Sequence, residues 1–148
     1  MNDFVATKLN LNETQWEIGS PRRILETGSR YCGHLSDAMA TLLETGGYTA
    51  RVIHLSDGLT DPHTHSVTEV WYGDGWHLYD PTYGFKFIDD GGRVLSYNEL
   101  RLDRSRISET AMGQLKPKVR RRVLTWMPAV YASGYHHFYY IRTLKHRR

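Results

Sequence analysis

The sequence predicts an α+β fold in which a helix packs on an antiparallel sheet. Three observations carry that expectation. Leu35, Ala38, Met39, Leu42 and Leu43 recur at helical spacing and give one apolar face. A β-rich run from Tyr48 to Leu55 follows immediately. Two further β-rich runs then flank Gly73-Asp74-Gly75, a strong hairpin signal. A helix followed by strands argues for an α+β domain rather than a parallel sheet.

Each element has its own local reason. Ser20-Pro21 ahead of Arg22–Thr27 reads as an N-cap and first turn, with Gly28 as the stop. The main helix carries the Leu35–Leu43 face and ends at Gly46-Gly47, because glycine enters the left-handed conformation cheaply. Cys32 is expected just before its first turn. Residues 56–64, with Gly58 and Asp61-Pro62, read as a loop. The hairpin pairs His65–Tyr72 with Gly75–Asp80, and Pro81 breaks the second strand. Phe85–Ile88 and Arg93–Leu95 around Asp89-Asp90-Gly91-Gly92 suggest a second hairpin. Ser96-Tyr97-Asn98-Glu99 is a capping box, which predicts a short helix from Tyr97 to Asp103. Residues 104–122 read as polar helix and loop. Tyr135–Leu144 is aromatic and β-branched and reads as a strand.

The 148 residues are one domain's worth of chain, enough to bury a core without staples. Residues 1–148 are therefore expected to form a single domain. No run approaches the roughly 20 apolar residues of a membrane span. The single cysteine rules out an intrachain disulfide and a Cys-rich zinc site. With no basic-then-apolar leader pattern at Met1–Phe4, the expected compartment is the cytoplasm. The net charge of +3 conceals a division: residues 1–100 balance at −7 and residues 101–148 at +10. That asymmetry favours an anionic partner or a solvated basic face.

Thiol catalysis needs a thiolate, a base to make it and a group to orient the base. Cys32 lies at a helix N-terminus, where the macrodipole and unsatisfied N–H groups favour an anion. Those N–H groups also suit a tetrahedral oxyanion. His65 opens one hairpin strand and Asp80 closes the other, so their separation depends on register. With Gly73-Asp74 as a type II′ turn, Tyr72 faces Gly75. Asp80 then lies opposite Val67, one diagonal step from His65, with Cβ atoms roughly 7–8 Å apart. With Asp74-Gly75 as a type I′ turn, Asp80 falls opposite Glu69, about 13 Å away along the strand. A His65–Asp80 pair therefore requires the first register or a bulge.

Tyr31-Cys32-Gly33-His34-Leu35-Ser36-Asp37-Ala38 with Gly47–Val52 resembles the cysteine helix and following strand of transglutaminase-like enzymes. His65–Tyr72 resembles their histidine strand and Trp76–Thr82 their aspartate strand. The resemblance covers a motif core of about residues 28–84, in the family's order. It implies a papain-like core, with Cys32 as nucleophile, His65 as general base then acid, and Asp80 fixing the imidazole. It also implies a thioester acyl-enzyme resolved by water or an amine, with no cofactor. Two positions depart from the family: Val67 stands where a tryptophan is frequent, and Tyr31 precedes the cysteine. Both bear on the substrate more than on the mechanism.

Other readings compete. A lone cysteine beside a helix is ordinarily a small buried hydrophobe. Only its two partner motifs set Cys32 apart. His54, Asp61, His63 and His65 could bind a metal, but they leave Cys32 and Asp80 without a role. Trp71, Trp76, Tyr72 and Tyr79 read as core packing and cross-strand pairing. Gln15 and Trp16 are the upstream N–H donors that could complete an oxyanion site. Lys118, Arg120, Arg121 and Arg122 could dock an anionic acyl donor, whether peptide, protein or carrier-bound. No nucleic-acid motif accompanies them. A catalytically silent basic binding module is the remaining alternative.

Overall fold

The computed structural model describes residues 21–29, 31–56, 64–107, 115, 117–132 and 135–139. Beyond residue 116, side chains are described at 120, 121, 125 and 127–131. Helix α1 spans Pro21–Thr27 and α2 spans Cys32–Thr45. Strands β1 (Thr49–Ser56), β2 (Thr64–Tyr72) and β3 (Gly75–Tyr79) follow. Then come α3 (Tyr97–Leu102), a 3-10 turn (Arg104–Arg106), α4 (Pro117–Ala132) and β4 (Tyr135–Tyr139). The strands form one antiparallel sheet in the order β3-β2-β1-β4. The fold is α+β with the cysteine-bearing helix packed on the sheet.

Glycine stops α2 as its sequence requires. Gly47 takes a φ of 86°, and the N–H groups of Gly47 and Tyr48 return to the carbonyls of Glu44 and Leu43. This pair of bonds is a Schellman closure. At its other end α2 begins one residue earlier than expected, because Cys32 is already helical and Tyr31 is the N-cap. The capping box of α3 forms: Ser96 accepts from the Glu99 N–H and Glu99 accepts from the Ser96 N–H.

Alternation along β1 and β2 divides the interior into two cores. Ala50, Val52 and Val70 face α2, where they meet Leu35, Ala38, Met39 and Leu43. Ile53, Leu55, Val67 and Leu78 face the other way, toward Tyr97, Leu100, Met127, Val130 and Tyr131. Glu69 points into this second core and is fully buried. Arg51 reaches it at 2.7 Å, and the Tyr97 N–H donates to it at 2.6 Å. The Glu69 carboxylate thus ties the start of α3 to the sheet.

Three expectations are corrected. The second hairpin is short: the Leu95 N–H donates to Phe87 and the Asp89 N–H to Arg93, which makes the one bridge Ile88–Val94, while the Leu95 carbonyl turns away to accept from Leu78. Trp71 and Trp76 do pair across the strands, edge to face, but Trp71 and Tyr72 are exposed rather than core. Residues 123–132, which carried no sequence assignment, continue α4 through Pro128. Proline forfeits one helical hydrogen bond. Complete burial of Met127, Val130 and Tyr131 offsets that loss.

Candidate active site

The β2–β3 turn determines the register of the site. Gly73 adopts a φ of 59°, as the first central residue of a II′ turn must, and Tyr72 pairs with Gly75. Thr68 then pairs with Tyr79, which brings Asp80 level with Val67. This is the register that allows His65 and Asp80 to meet. His65 Nε2 lies 2.6 Å from Asp80 Oδ2, with both side chains buried.

Asp80 has no unused oxygen. Oδ1 accepts from the backbone N–H groups of Thr82 (2.9 Å) and Tyr83 (3.1 Å). Oδ2 accepts from the Tyr131 hydroxyl at 2.9 Å as well as facing His65. Burial pushes the Tyr131 hydroxyl far above the ordinary phenol range, and the Asp80 charge beside it acts in the same direction, so it stays a donor. Two aromatic rings lie against the His65 ring, Tyr83 at 5.6 Å and Tyr131 at 6.2 Å.

Cys32 reaches this pair around the edge of the sheet. Leu78 gives its N–H to Leu95, away from β2. Hence the even-numbered residues of β2 are those whose N–H groups point toward β3. Since β3 ends opposite Thr68, the Ser66 N–H has no strand to pair with among the described residues. The Cys32 thiol occupies that place, hydrogen-bonded by Ser66 through both backbone and hydroxyl, and by His65. With Nε2 committed to Asp80, the His65 nitrogen left for Cys32 is Nδ1.

The electrostatics favour separated charges. Burial alone would raise the Cys32 thiol, but the hydrogen bond and charge of His65 and the two Ser66 bonds outweigh it, and the net shift is downward. Burial alone would lower His65. The charge and hydrogen bond of Asp80, with Cys32 adding to them, push it up to about 10. The two groups titrate as a coupled pair.

The family model for the transglutaminase-like superfamily matches residues 1–81, more than half of the chain. The chain belongs to the transglutaminase-like superfamily. This is in general a family of papain-like cysteine enzymes. No curated protein and no solved structure matches the chain. The transglutaminase-like match includes Cys32, His65 and Asp80 and ends one residue after the last of them. Tyr83 and Tyr131 therefore reach the cluster from outside the matched segment.

Of the other sequence-derived candidates, Gln15 and Trp16 lie outside the described residues, as do Asp61 and His63. His65 is committed to Asp80, and His54 Nδ1 contacts Ser66 Oγ at 2.6 Å. Among the described residues no group of three or more His, Cys, Asp or Glu is placed to hold a metal. Lys118, Arg120, Arg121 and Arg122 lie on α4. Arg121 is exposed, Arg120 is half-buried, and the side chains of Lys118 and Arg122 are outside the described set. No helix among the described residues is long and apolar enough to cross a membrane.

Sequence reasoning missed Ser66, the contact of His54 with it (His54 entered only as a possible metal ligand) and Tyr131. The first two could have been found. In the II′ register β3 ends before reaching Ser66, and a strand places His54 and Ser66 as partners. Tyr131 gave no local signal, since it meets Asp80 across 51 positions through a helix interrupted by proline.

Two outcomes follow from this geometry. Tyr131→Phe keeps the ring but removes a donor to a buried carboxylate. It is expected to cost about 1.5–3 kcal/mol of stability in urea unfolding. A loss below about 0.5 kcal/mol would mean the contact contributes nothing. For Cys32, the rate of alkylation by iodoacetamide against pH is expected to inflect below the ordinary thiol value of 9.0. In His65→Ala the inflection moves upward, because burial remains while the main opposing partner is gone. A single unshifted inflection in both proteins contradicts an activated thiol.

Proposed function

We propose that the protein is a cysteine-dependent acyltransferase or hydrolase working through a thioester acyl-enzyme. The observation that supports this best is the unbroken chain from Cys32 through His65 to a buried Asp80 with every oxygen occupied. In the resting form the pair is thiolate and imidazolium. The thiolate attacks the carbonyl carbon of an amide, ester or thioester, and the C=O electrons move onto oxygen. Backbone N–H groups at the start of α2, where Tyr31 supplies no side-chain cap, stabilise that oxyanion. As the carbonyl re-forms, the bond to the leaving group breaks, and His65 Nδ1 gives its proton to the departing atom. His65, now neutral, takes a proton from water or an amine as that acceptor attacks the thioester. The second tetrahedral adduct collapses, the C–S bond breaks, and the thiolate is restored beside the imidazolium. The thiol, imidazole and carboxylate account for every step.

Asp80 acts through the tautomer. It accepts from Nε2–H, so the Nδ1 face is left to exchange protons with sulfur and substrate. The acyl donor is read as one that can carry negative charge away from its reacting carbonyl. Arg121 is exposed on α4, and ten residues of helix separate it from Tyr131, about 15 Å. A charge docked there would belong to a remote part of the donor or to its carrier.

The test is intact mass after incubation with activated esters and thioesters, some bearing a remote carboxylate or phosphate. One acyl group is expected on the wild type and none on Cys32→Ala. Added salt, or charge reversal at 118 and 120–122, should slow labelling by the anionic donors only. In Asp80→Asn the amide N–H₂ replaces Oδ2, donates to Nε2 and leaves the proton on Nδ1. Tyr131 can turn its hydroxyl to accept, so the fold is kept. Labelling should fall by about 10²–10⁴. Labelling that survives Cys32→Ala, or is unchanged in Asp80→Asn, contradicts the proposal.

A further inference from the structure

We propose that Ser66 is a further catalytic residue, whose hydroxyl holds the Cys32 thiolate from the α2 face of the sheet, and that His54 is the positioning residue that aims this hydroxyl. The inference rests on Cys32 being the nucleophile and adds to the Cys-His-Asp reading a second, separate support for its charge.

Strand geometry places the two residues. His54 on β1 and Ser66 on β2 are direct cross-strand partners, so their side chains share a face. That face is the one against α2. A Cβ built on Gly33, the residue after the nucleophile, would lie 3.8 Å from Ser66 Oγ and 3.9 Å from His54 Cε1. The pair thus faces the first turn of α2 at about one side-chain atom's distance. Successive strand residues point to opposite faces. Cys32, at the edge of β2, therefore meets His65 from one face and Ser66 from the other.

The proton count gives the contact a direction. A serine hydroxyl has one proton. Ser66 Oγ lies 2.6 Å from His54 Nδ1, and the same hydroxyl hydrogen-bonds Cys32. If the proton goes to the thiolate, His54 must donate Nδ1–H to Oγ. The ordered chain is then His54 Nδ1–H to Ser66 Oγ–H to Cys32 S⁻, and each bond polarises the next. Ser66 is 4% exposed and cannot turn freely to solvent, whereas His54 is exposed.

Other titratable groups lie nearby. His65 stands on the far face with Asp80 and Tyr131 behind it. Tyr31 and His34 flank the start of α2, in edge contact at 5.4 Å. His137 of β4 is the register partner of His54 on its other side. The test leaves all of these in place.

It measures iodoacetamide alkylation of Cys32 against pH in the wild type, Ser66→Ala, Ser66→Thr, His54→Ala and the Ser66→Ala/His54→Ala double variant. Ser66→Ala is expected to raise the inflection by about one unit, a tenfold slower reaction on the acidic limb. Ser66→Thr restores most of the rate, and His54→Ala shifts the profile less than Ser66→Ala. The double variant matches Ser66→Ala, because His54 acts only through the hydroxyl. A wild-type profile in Ser66→Ala overturns the proposal and leaves the nucleophile reading intact. A His54→Ala shift that persists in full without the hydroxyl also overturns it, since that is an effect of charge through space. An unshifted wild-type profile overturns both readings. Should Ser66→Ala fail to fold, His54→Ala decides at its exposed position, where an unmoved profile overturns the relay.

Discussion

The site depends on the burial of one carboxylate. Placing the Asp80 charge away from water costs several kcal/mol unless donors surround it. Four groups do so, and they come from three parts of the chain. The turn after β3 brings two backbone N–H groups, β2 brings His65, and α4 brings the Tyr131 hydroxyl. Each donor constrains the element that carries it. The II′ turn must hold its register, Pro81–Gly84 must close tightly enough to aim two amides, and α4 must dock with Tyr131 inward. The protein cannot lose one of these without leaving a buried acceptor short.

The interrupted edge of the sheet is the second constraint. β3 stops opposite Thr68, and among the described residues no strand continues along that side of β2. An uncovered strand edge is ordinarily a liability. Here the N-terminus of α2 covers it, and the Ser66 N–H bonds sulfur rather than a strand carbonyl. Gly33 faces β2 there, at a distance where a Cβ would make ordinary contact with Ser66 and His54. Thr68 adds a bond from its hydroxyl to the Ser36 carbonyl at 3.1 Å, which holds the helix flush to the strand. Residues of both faces thereby converge on one thiol.

Much of this was legible in local sequence. The apolar spacing from Leu35 to Leu43 with its glycine stop, the capping box at Ser96 and the Gly73 turn each fix a local geometry that tertiary packing has no reason to overrule. The turn mattered most, because two candidate turns differing by one residue gave opposite answers for His65 and Asp80. Hidden features were those set by distant packing. α4 contains Pro128, whose local signal stops a helix, so only burial in the second core reveals that the helix continues through it. The hairpin expected at residues 85–95 closes with Leu95 to Phe87 and Asp89 to Arg93, but the carbonyls of Phe85 and Leu95 accept from Asp80 and Leu78 instead of lengthening the ladder. Tyr131 could not be assigned to Asp80 without knowing which face of α4 turns inward.

The central claim is that the buried carboxylate holds His65 as an imidazolium beside the Cys32 thiolate. Nitrogen-15 NMR of the histidine rings tests it directly, with His65→Gln supplying the assignment. The account predicts both His65 ring nitrogens protonated at pH 7, above the ordinary histidine value of 6.5, and loss of that proton only on titration toward about 10. A His65 ring that is neutral at pH 7 and titrates near the ordinary value would contradict it.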